Sequence, residues 1–344
     1  MTKLIIQIPC YNEAKTLGIT LAELPRQLPG IDEVEWLIVD DGSADDTVAV
    51  AKACGVDRVV SHPYNQGLAR AFMTGLETSL QAGADIIVNT DADNQYRAAD
   101  IPKLLEPILS GRAEIAIGAR PIAGIAHFSP IKKALQKFGS WVVRLASNTD
   151  VADAPSGFRA ISRDAAMRLN VFNEYTYTLE TIIQAGQKGI SVASVPIRTN
   201  GDLRPSRLVK SIPAYVQRSI FTILRIFLTY RPMRVFTALG SIPIALGFGL
   251  GVRWLYFFAM GAERTRVPSL ILTAVLLVIG VQLLILGLIA ELLSVNRKLL
   301  EDVQLRLRRA ELERDRPLAD SIRNRLRKSD LELDRAAKPD PPSG

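Results

Sequence analysis

Cysteine and histidine are almost missing from this 344-residue chain, which has two of each. Cys10 and Cys54 are too few and too far apart for a zinc site or a disulfide framework, which points to a reducing compartment. Cys10 fits a small-residue packing slot. His62 and His127 are isolated and read as structural or surface residues. Aromatic residues are 6% of the chain. No aromatic-basic interleaving stands out in the N-terminal part, so nucleic acid is not an expected partner. The first nine residues, Met1 to Pro9, are too short and polar-flanked for a signal peptide. They read as a first strand, which keeps the N-terminal domain in the cytoplasm. No internal repeat is evident.

What is present is unevenly placed. Hydrophobic residues are 48% of the chain, concentrated between about Val235 and Val295. The formal net charge is +7, yet the first 200 residues are slightly acidic. The basic excess is densest in residues 201–235, beside the apolar region. That placement favours a membrane surface.

In the first half, strand-like and helix-like runs alternate. Strands are expected at Leu4–Ile8, Glu35–Val39, Arg58–Ser61, Asp85–Thr90, Glu114–Gly118 and Ser191–Ile197. Helices are expected at Ala14–Leu28, Asp45–Ala53, Leu68–Ala82, Asp100–Leu109, Pro130–Leu145 and within Tyr177–Gly186, with a loop over Asp153–Arg159. Alternating β and α with apolar strands implies an α/β fold, a mostly parallel sheet covered on both faces. Ligands of such sheets sit at the carboxyl ends of the strands. The polar clusters fall there: Pro9–Glu13, Asp40–Ser43, Asp91–Gln95 and Gly118–Arg120.

The stretch Asn89-Thr90-Asp91-Ala92-Asp93-Asn94-Gln95 carries the sharpest signal. Asp91 and Asp93 are spaced i, i+2, and in an extended segment both would point the same way. Adjacent carboxylates repel, so a hard divalent cation bound through oxygen is the natural partner. Such a cation can hold a diphosphate, which suggests a nucleotide-activated substrate. A polar turn after a strand is the competing reading.

These residues resemble family 2 glycosyltransferases of the GT-A fold, a Rossmann-like, mostly parallel sheet. Pro9-Cys10-Tyr11-Asn12-Glu13 and Val39-Asp40-Asp41-Gly42-Ser43 are similar to the family's first- and second-strand signatures. Asp91-Ala92-Asp93-Asn94-Gln95 resembles its metal motif in the form found in dolichyl-phosphate mannose synthases and bacterial polyprenyl-phosphate relatives. Gly67-Leu68-Ala69-Arg70-Ala71 and Ser156-Gly157-Phe158-Arg159 are similar to segments of that subgroup. The resemblance covers residues 1 to about 210. It implies a nucleoside-diphosphate sugar donor bound by Pro9, Tyr11, Glu13, Asp40, Asp91, Ala92, Asp93 and Arg207. Tyr11 would lie near the base, and Glu13 and Asp40 would bond ribose and base. Asp91, Asp93 and Gln95 would hold Mg²⁺ or Mn²⁺. Asp41 fits either a donor contact or a turn and cap.

A lipid phosphate acceptor is already anionic and needs fixed cations rather than a strong base. Arg120 is the first candidate, followed by Lys133 and Lys137, spaced i, i+4. These lysines depart from the subgroup's Arg and Ser, and a basic face greeting anionic lipids is the alternative. Ser206-Arg207-Leu208 resembles a Ser-Lys-Leu segment that closes over the donor. Asp153 is placed in the catalytic set, to orient Arg159 or the acceptor, or else caps a loop. Glu180 is a candidate base for a hydroxyl acceptor.

After about residue 207 the pattern changes. Residues 208–232 read as an amphipathic, basic, interfacial helix. Val235–Met260 and Pro268–Leu293 each exceed the roughly 20 residues that span a bilayer. Together they make a two-helix transmembrane hairpin over 235–293, with a core hairpin of a soluble protein as the rival reading. Arg231, Arg234, Arg297 and Lys298 flank its outer ends, against Arg264 and Arg266 in the linker. That bias places both termini and the catalytic domain in the cytoplasm, on the inner (plasma) membrane. Residues 296–344 form a charged tail, either a short self-associating coiled coil that would make a homo-oligomer or a solvated helix.

The expected function is an inverting transfer of a sugar to a polyprenyl (undecaprenyl) phosphate. Transfer to a hydroxyl of a glycolipid or wall precursor is the alternative. A non-catalytic membrane scaffold on a nucleotide-sugar fold is the rival of another class.

Overall fold

The computed structural model describes residues 1–121, 149–171, 177–201, 232–261 and 267–336, with 144, 147 and 228; of 312, 313 and 315–336 it describes only the backbone. The chain divides into two compact units, Met1–Lys210 with Gln304–Gly344, and Ser211–Val303.

The first unit is built on a seven-stranded sheet in the order β3-β2-β1-β4-β6-β5-β7. Its strands are β1 (Lys3–Cys10), β2 (Glu33–Asp40), β3 (Arg58–Ser61), β4 (Ile86–Asn89), β5 (Ile115–Ala119), β6 (Arg159–Ser162) and β7 (Val192–Pro196). The mostly apolar β1 has every residue buried, Lys3 and Gln7 included, as a central parallel strand covered on both faces requires. Its parallel register pairs Cys10 with Asp40 and Gln7 with Asn89. Arg159 was expected in a loop. It opens β6 instead, antiparallel between β4 and β5. Four residues give too little periodicity to separate a strand from a loop.

Among the described residues, six α-helices serve this sheet: α1 (Ala14–Glu23), α2 (Thr47–Ala53), α3 (Leu68–Gln81), α4 (Ile101–Leu109), α5 (Arg163–Arg168) and α6 (Thr178–Gln187). The first ends at Glu23, five residues short of the expected Leu28, because Leu24 takes an extended backbone before Pro25. Proline disfavours helical backbone at the residue before it. Short α5 was not expected; Ser162 caps it, accepting from the Ala165 N–H at 3.3 Å. The core beneath α1 and α4 gathers Leu4, Ile6, Ile8, Leu17, Ile101 and Leu104.

The second unit holds α7 (Pro232–Ala259) and the first part of α8 (Val267–Ala336). Their most apolar windows have mean hydropathies of 1.8 and 2.8 with 11% and 17% of residues buried, whereas the core hairpin of a soluble protein would be mostly buried. They pack on each other through small residues: a Cβ on Gly280 would lie 2.4 Å from the Ile244 side chain. The eighth helix outruns its expected end at Leu293, because no glycine or proline interrupts Leu288 to Arg316. Its later part belongs to the first unit. There Arg308 pairs with Glu77 at 3.0 Å and donates to the Leu169 carbonyl at 3.2 Å, and Gln304 meets Asn170.

Candidate active site

The loops leaving β1 and β2 are sewn together. Asn12 sits at φ 55°, a conformation asparagine tolerates better than most residues. Its N–H donates to Ser43 Oγ (2.9 Å) and its side-chain oxygen accepts from the Ala44 N–H (2.8 Å). Glu13 donates its N–H to Thr47 Oγ1 (2.9 Å), and its carboxylate accepts from the Thr16 hydroxyl (3.0 Å). Buried Asp40 accepts from the Ser43 N–H at 3.1 Å. Tyr11 is 42% exposed beside them. Asp41 is a capping residue, but for the approach to α3. Its carboxylate accepts from the N–H groups of Gln66 (2.9 Å) and Gly67 (2.8 Å) and meets His62 Nδ1 at 2.8 Å.

The segment after β4 departs from expectation. Asp91 to Asn94 are not extended but enter a turn in which Asn94 has φ 57°. Strand geometry therefore does not align the two aspartates. The turn is fastened from three sides. Thr20 donates to the Ala92 carbonyl (3.0 Å), Asn94 donates to Glu23 (3.0 Å), and the Asn200 N–H donates to the Gln95 carbonyl (2.9 Å). Beneath it lies a buried polar network that motif reading missed. Asn89 donates to the Gly157 carbonyl (2.8 Å) and the Tyr177 hydroxyl (2.9 Å), Gln7 donates to Asn89 (2.9 Å), and the Gly157 N–H donates to the Tyr96 hydroxyl (3.0 Å). A polar residue closing an apolar strand, as Asn89 does, is the signal that marks it. Gly157 touches the aspartate itself: a Cβ there would lie 3.0 and 3.1 Å from the two Asp91 carboxylate oxygens.

Across the same sheet edge, Arg120 follows β5. It was expected as a fixed cation for the acceptor phosphate. The structure pairs it with buried Asp153 through Nε (2.6 Å) and Nη2 (3.0 Å). Asp153 was expected to cap a loop, or to orient the acceptor or Arg159. That guanidinium is instead bound by the carbonyls of Ser156, Ala154 and Thr178 and by the Thr181 hydroxyl. Glu180 is buried on α6, its carboxylate 3.4 Å from the Gln184 amide. Arg207, Lys133 and Lys137 lie outside the described residues, as do the helix expected at Pro130–Leu145, except Arg144, and most of the interfacial helix.

The field at this edge is divided. Burial pushes the Cys10 thiol well up, and the carboxylates of Glu13, Asp40, Asp45 and Asp91 push it further. Burial and then Asp91 raise the Tyr96 phenol to about 12. Arg120 is raised as well: burial opposes its charge, and Tyr96, Asp153 and Asp91 outweigh that. Cation-seeking carboxylates thus adjoin a held arginine. Among the described residues no three His, Cys, Asp or Glu gather as a ready metal cluster. An ion between Asp91 and Asp93 would draw part of its oxygen shell from a ligand, as diphosphate-bound Mg²⁺ does.

The family model for glycosyl transferase family 2 matches residues 5–170. A UDP-N-acetylglucosamine–dolichyl-phosphate N-acetylglucosaminyltransferase of Methanococcus voltae is 31% identical over 217 residues, 56% of this chain and 83% of the relative. The chain belongs to glycosyl transferase family 2. It is a glycosyltransferase. An undecaprenyl-phosphate mannosyltransferase of Micrococcus luteus is 28% identical over 200 residues, 55% of this chain and 80% of the relative. Among solved structures, glucosyl-3-phosphoglycerate synthase of Mycobacterium tuberculosis, in complex with Mn²⁺, UDP-glucose and phosphoglyceric acid, superposes with a TM-score of 0.53. That match is 21% identical and covers 65% of this chain and 79% of that one. The likeness shows the shared GT-A fold of this family 2 enzyme.

Proposed function

We propose that this enzyme moves a sugar, with inversion, from a nucleoside diphosphate to a polyprenyl phosphate at a membrane surface. The observation that carries the reading is the divided sheet edge. The Asp91–Gln95 turn adjoins carboxylates on one side, and Arg120 stands braced by Asp153 on the other. A divalent cation with the diphosphate suits the first; an anionic acceptor suits the second. Two relatives support the acceptor class, since their names state dolichyl and undecaprenyl phosphate. A neighbour of the same fold crystallised with Mn²⁺ and UDP-glucose supports the donor class.

Asp91, Asp93 and Gln95 would hold Mg²⁺ or Mn²⁺, which when bound neutralises charge gathering on the departing diphosphate. Pro9, Tyr11, Glu13, Asp40 and Ala92 line the donor side, and Arg207 would close over it. Arg120 orients the acceptor oxyanion, with Lys133 and Lys137 as further cations. Asp153 fixes the guanidinium plane, so the arginine is pre-aimed before acceptor arrives. No general base is required, because a phosphate oxygen is already ionised at neutral pH.

The test is direct. Purified enzyme is incubated with UDP- and GDP-sugars, Mg²⁺ or Mn²⁺, and undecaprenyl phosphate, and the lipid product is resolved. A glycosylated lipid phosphate of inverted anomeric configuration is expected, abolished by EDTA and by Asp91→Ala. Arg120→Ala should raise KM for the lipid at least tenfold more than KM for the donor. Transfer only to hydroxyl lipids would overturn the acceptor assignment.

A further inference from the structure

Tyr64 is an aromatic side chain that the fold does not use. It is 67% exposed, and among the described residues no side-chain hydrogen bond or ring contact engages it. Its backbone, in contrast, is tightly held. A Cβ on Gly42 would lie 2.5 Å from the Tyr64 carbonyl carbon and 2.7 Å from its Cα, so the two loops are in direct backbone contact. On one side of Tyr64, the His62 N–H donates to the Asp40 carbonyl (2.8 Å), and the His62 ring is gripped between Asp41 and Thr74. On the other side, the N–H groups of Gln66 and Gly67 are bound by Asp41. Pro63 removes a further torsion. The segment 62–67 is therefore pinned at both ends to the Asp40-Asp41-Gly42 turn, with a free ring at its tip.

Strand order gives that ring a setting. The sheet runs β3-β2-β1 at this edge, so Asp40 at the end of β2 stands between Tyr11 after β1 and Tyr64 after β3. Two strand spacings separate the flanking strands by about 9–10 Å. That width accepts one planar ring between two side chains. A rigid backbone bearing a tyrosine offers a broad face with few torsions to freeze, which lowers the entropic cost of binding.

We infer that Tyr64 forms the outer wall of the donor nucleobase slot, packing its ring on the base while Asp40 bonds the base edge. The inference rests on the donor-side role given to Asp40 above. It assigns Asp41 and His62 as positioning residues that hold the wall. Every base has a flat face, so Tyr64 serves nucleotide affinity and is indifferent to the sugar.

Isothermal titration of UDP and of GDP into the full-length enzyme in detergent with MnCl₂ tests this, using whichever nucleotide binds tighter. Tyr64→Ala should weaken Kd by roughly 5- to 100-fold, the range of aromatic–base stacking. Tyr64→Phe should stay within about twofold, and Tm should not move, since the ring is exposed. Asp40→Asn should weaken Kd as well. If Asp40→Asn weakens binding while Tyr64→Ala stays within twofold, the wall assignment is overturned and the donor side stands. Equal losses in the Ala and Phe variants would overturn stacking in favour of the hydroxyl. If Asp40→Asn leaves Kd unchanged, the donor-side reading falls and this inference with it.

Discussion

At the scale of single residues, the site depends on one missing side chain as much as on charged ones. A Cβ on Gly157 would lie 3.0 Å from the Asp91 carboxylate and 3.0 Å from the Tyr177 hydroxyl. A methyl group there cannot be absorbed by a flexible neighbour, because Tyr177 is stacked on Phe72 with ring centroids 3.9 Å apart. Asp91 is the group that must give. Gly157→Ala is therefore expected to cost about 1–2 kcal/mol of stability from overpacking. It should cost turnover at least tenfold, with donor KM rising because the displaced carboxylate is the proposed cation ligand. Thermal unfolding and initial rates at two Mn²⁺ concentrations check it. Extra metal that restored full activity would show a shifted affinity, not a shifted geometry. The arginines carry a second lesson. Arg159 is buried and Arg120 largely so, yet only Arg120 is braced by a carboxylate within 3 Å; Arg159 is bound by carbonyls and a hydroxyl. Residue type alone does not tell these roles apart. The partner does.

At the scale of elements, the turn after β4 owes its shape to neighbours far away in sequence. Asp100 receives the Arg198 N–H (2.7 Å) and its guanidinium (2.8 Å), with Lys103 at 2.9 Å. Burial works against that carboxylate's charge, but Arg198 and Lys103 outweigh it and hold the group at about 2. At the head of β2, burial likewise opposes the Glu35 charge, and Arg58 and Lys3 hold it at about 2. Both values lie below the unfolded range of about 4, so the stability they contribute is complete above pH ~4.5 and is lost as pH falls toward 2. After discounting for half-exposed partners, each contributes about 1 kcal/mol. Melting temperature should fall between pH 5 and pH 3 in the wild type, and less steeply in Asp100→Asn. Arg308→Ala tests another long-range clasp. Loss of its contacts with Glu77 and the Leu169 carbonyl should lower stability by about 1 kcal/mol, read as a lower denaturation midpoint. Such elements divide what was legible beforehand. The apolar strands β1, β2 and β4 and the amphipathic α3 were readable because burial imposes a period on sequence. So was the polar set at their carboxyl ends. Four-residue β6, the early stop of α1 and the bent Asp91–Asn94 turn were not. Each is decided by a tertiary partner or one backbone torsion, and neither leaves a periodic trace. The Arg120–Asp153 pair was illegible for the same reason: the two lie 33 positions apart, and only β5 and β6 pairing brings them together.

At the scale of the whole molecule, the proposal needs the catalytic unit on the face where nucleotide sugars are made, which is the cytoplasm. Basic residues bracketing the outer ends of the apolar pair, Arg231, Arg234, Arg297 and Lys298, outnumber Arg264 and Arg266 in its linker. The bias predicts cytoplasmic termini. The chain contains its own reporter for this. Of its two cysteines, Cys54 is exposed at the end of α2 and Cys10 is buried. The Cys10 thiol is held protonated by burial and by the surrounding carboxylates, so it is poorly nucleophilic as well as inaccessible. A membrane-impermeant maleimide should therefore modify the unaltered protein at one position. Right-side-out vesicles from an expressing bacterium should leave Cys54 unlabelled until detergent is added, whereas inverted vesicles should label at once. Cys54→Ser should abolish labelling in both. Rapid modification in intact right-side-out vesicles would place the catalytic unit outside, away from nucleotide sugars. The lipid-phosphate reaction would then have no donor on the side where the enzyme stands.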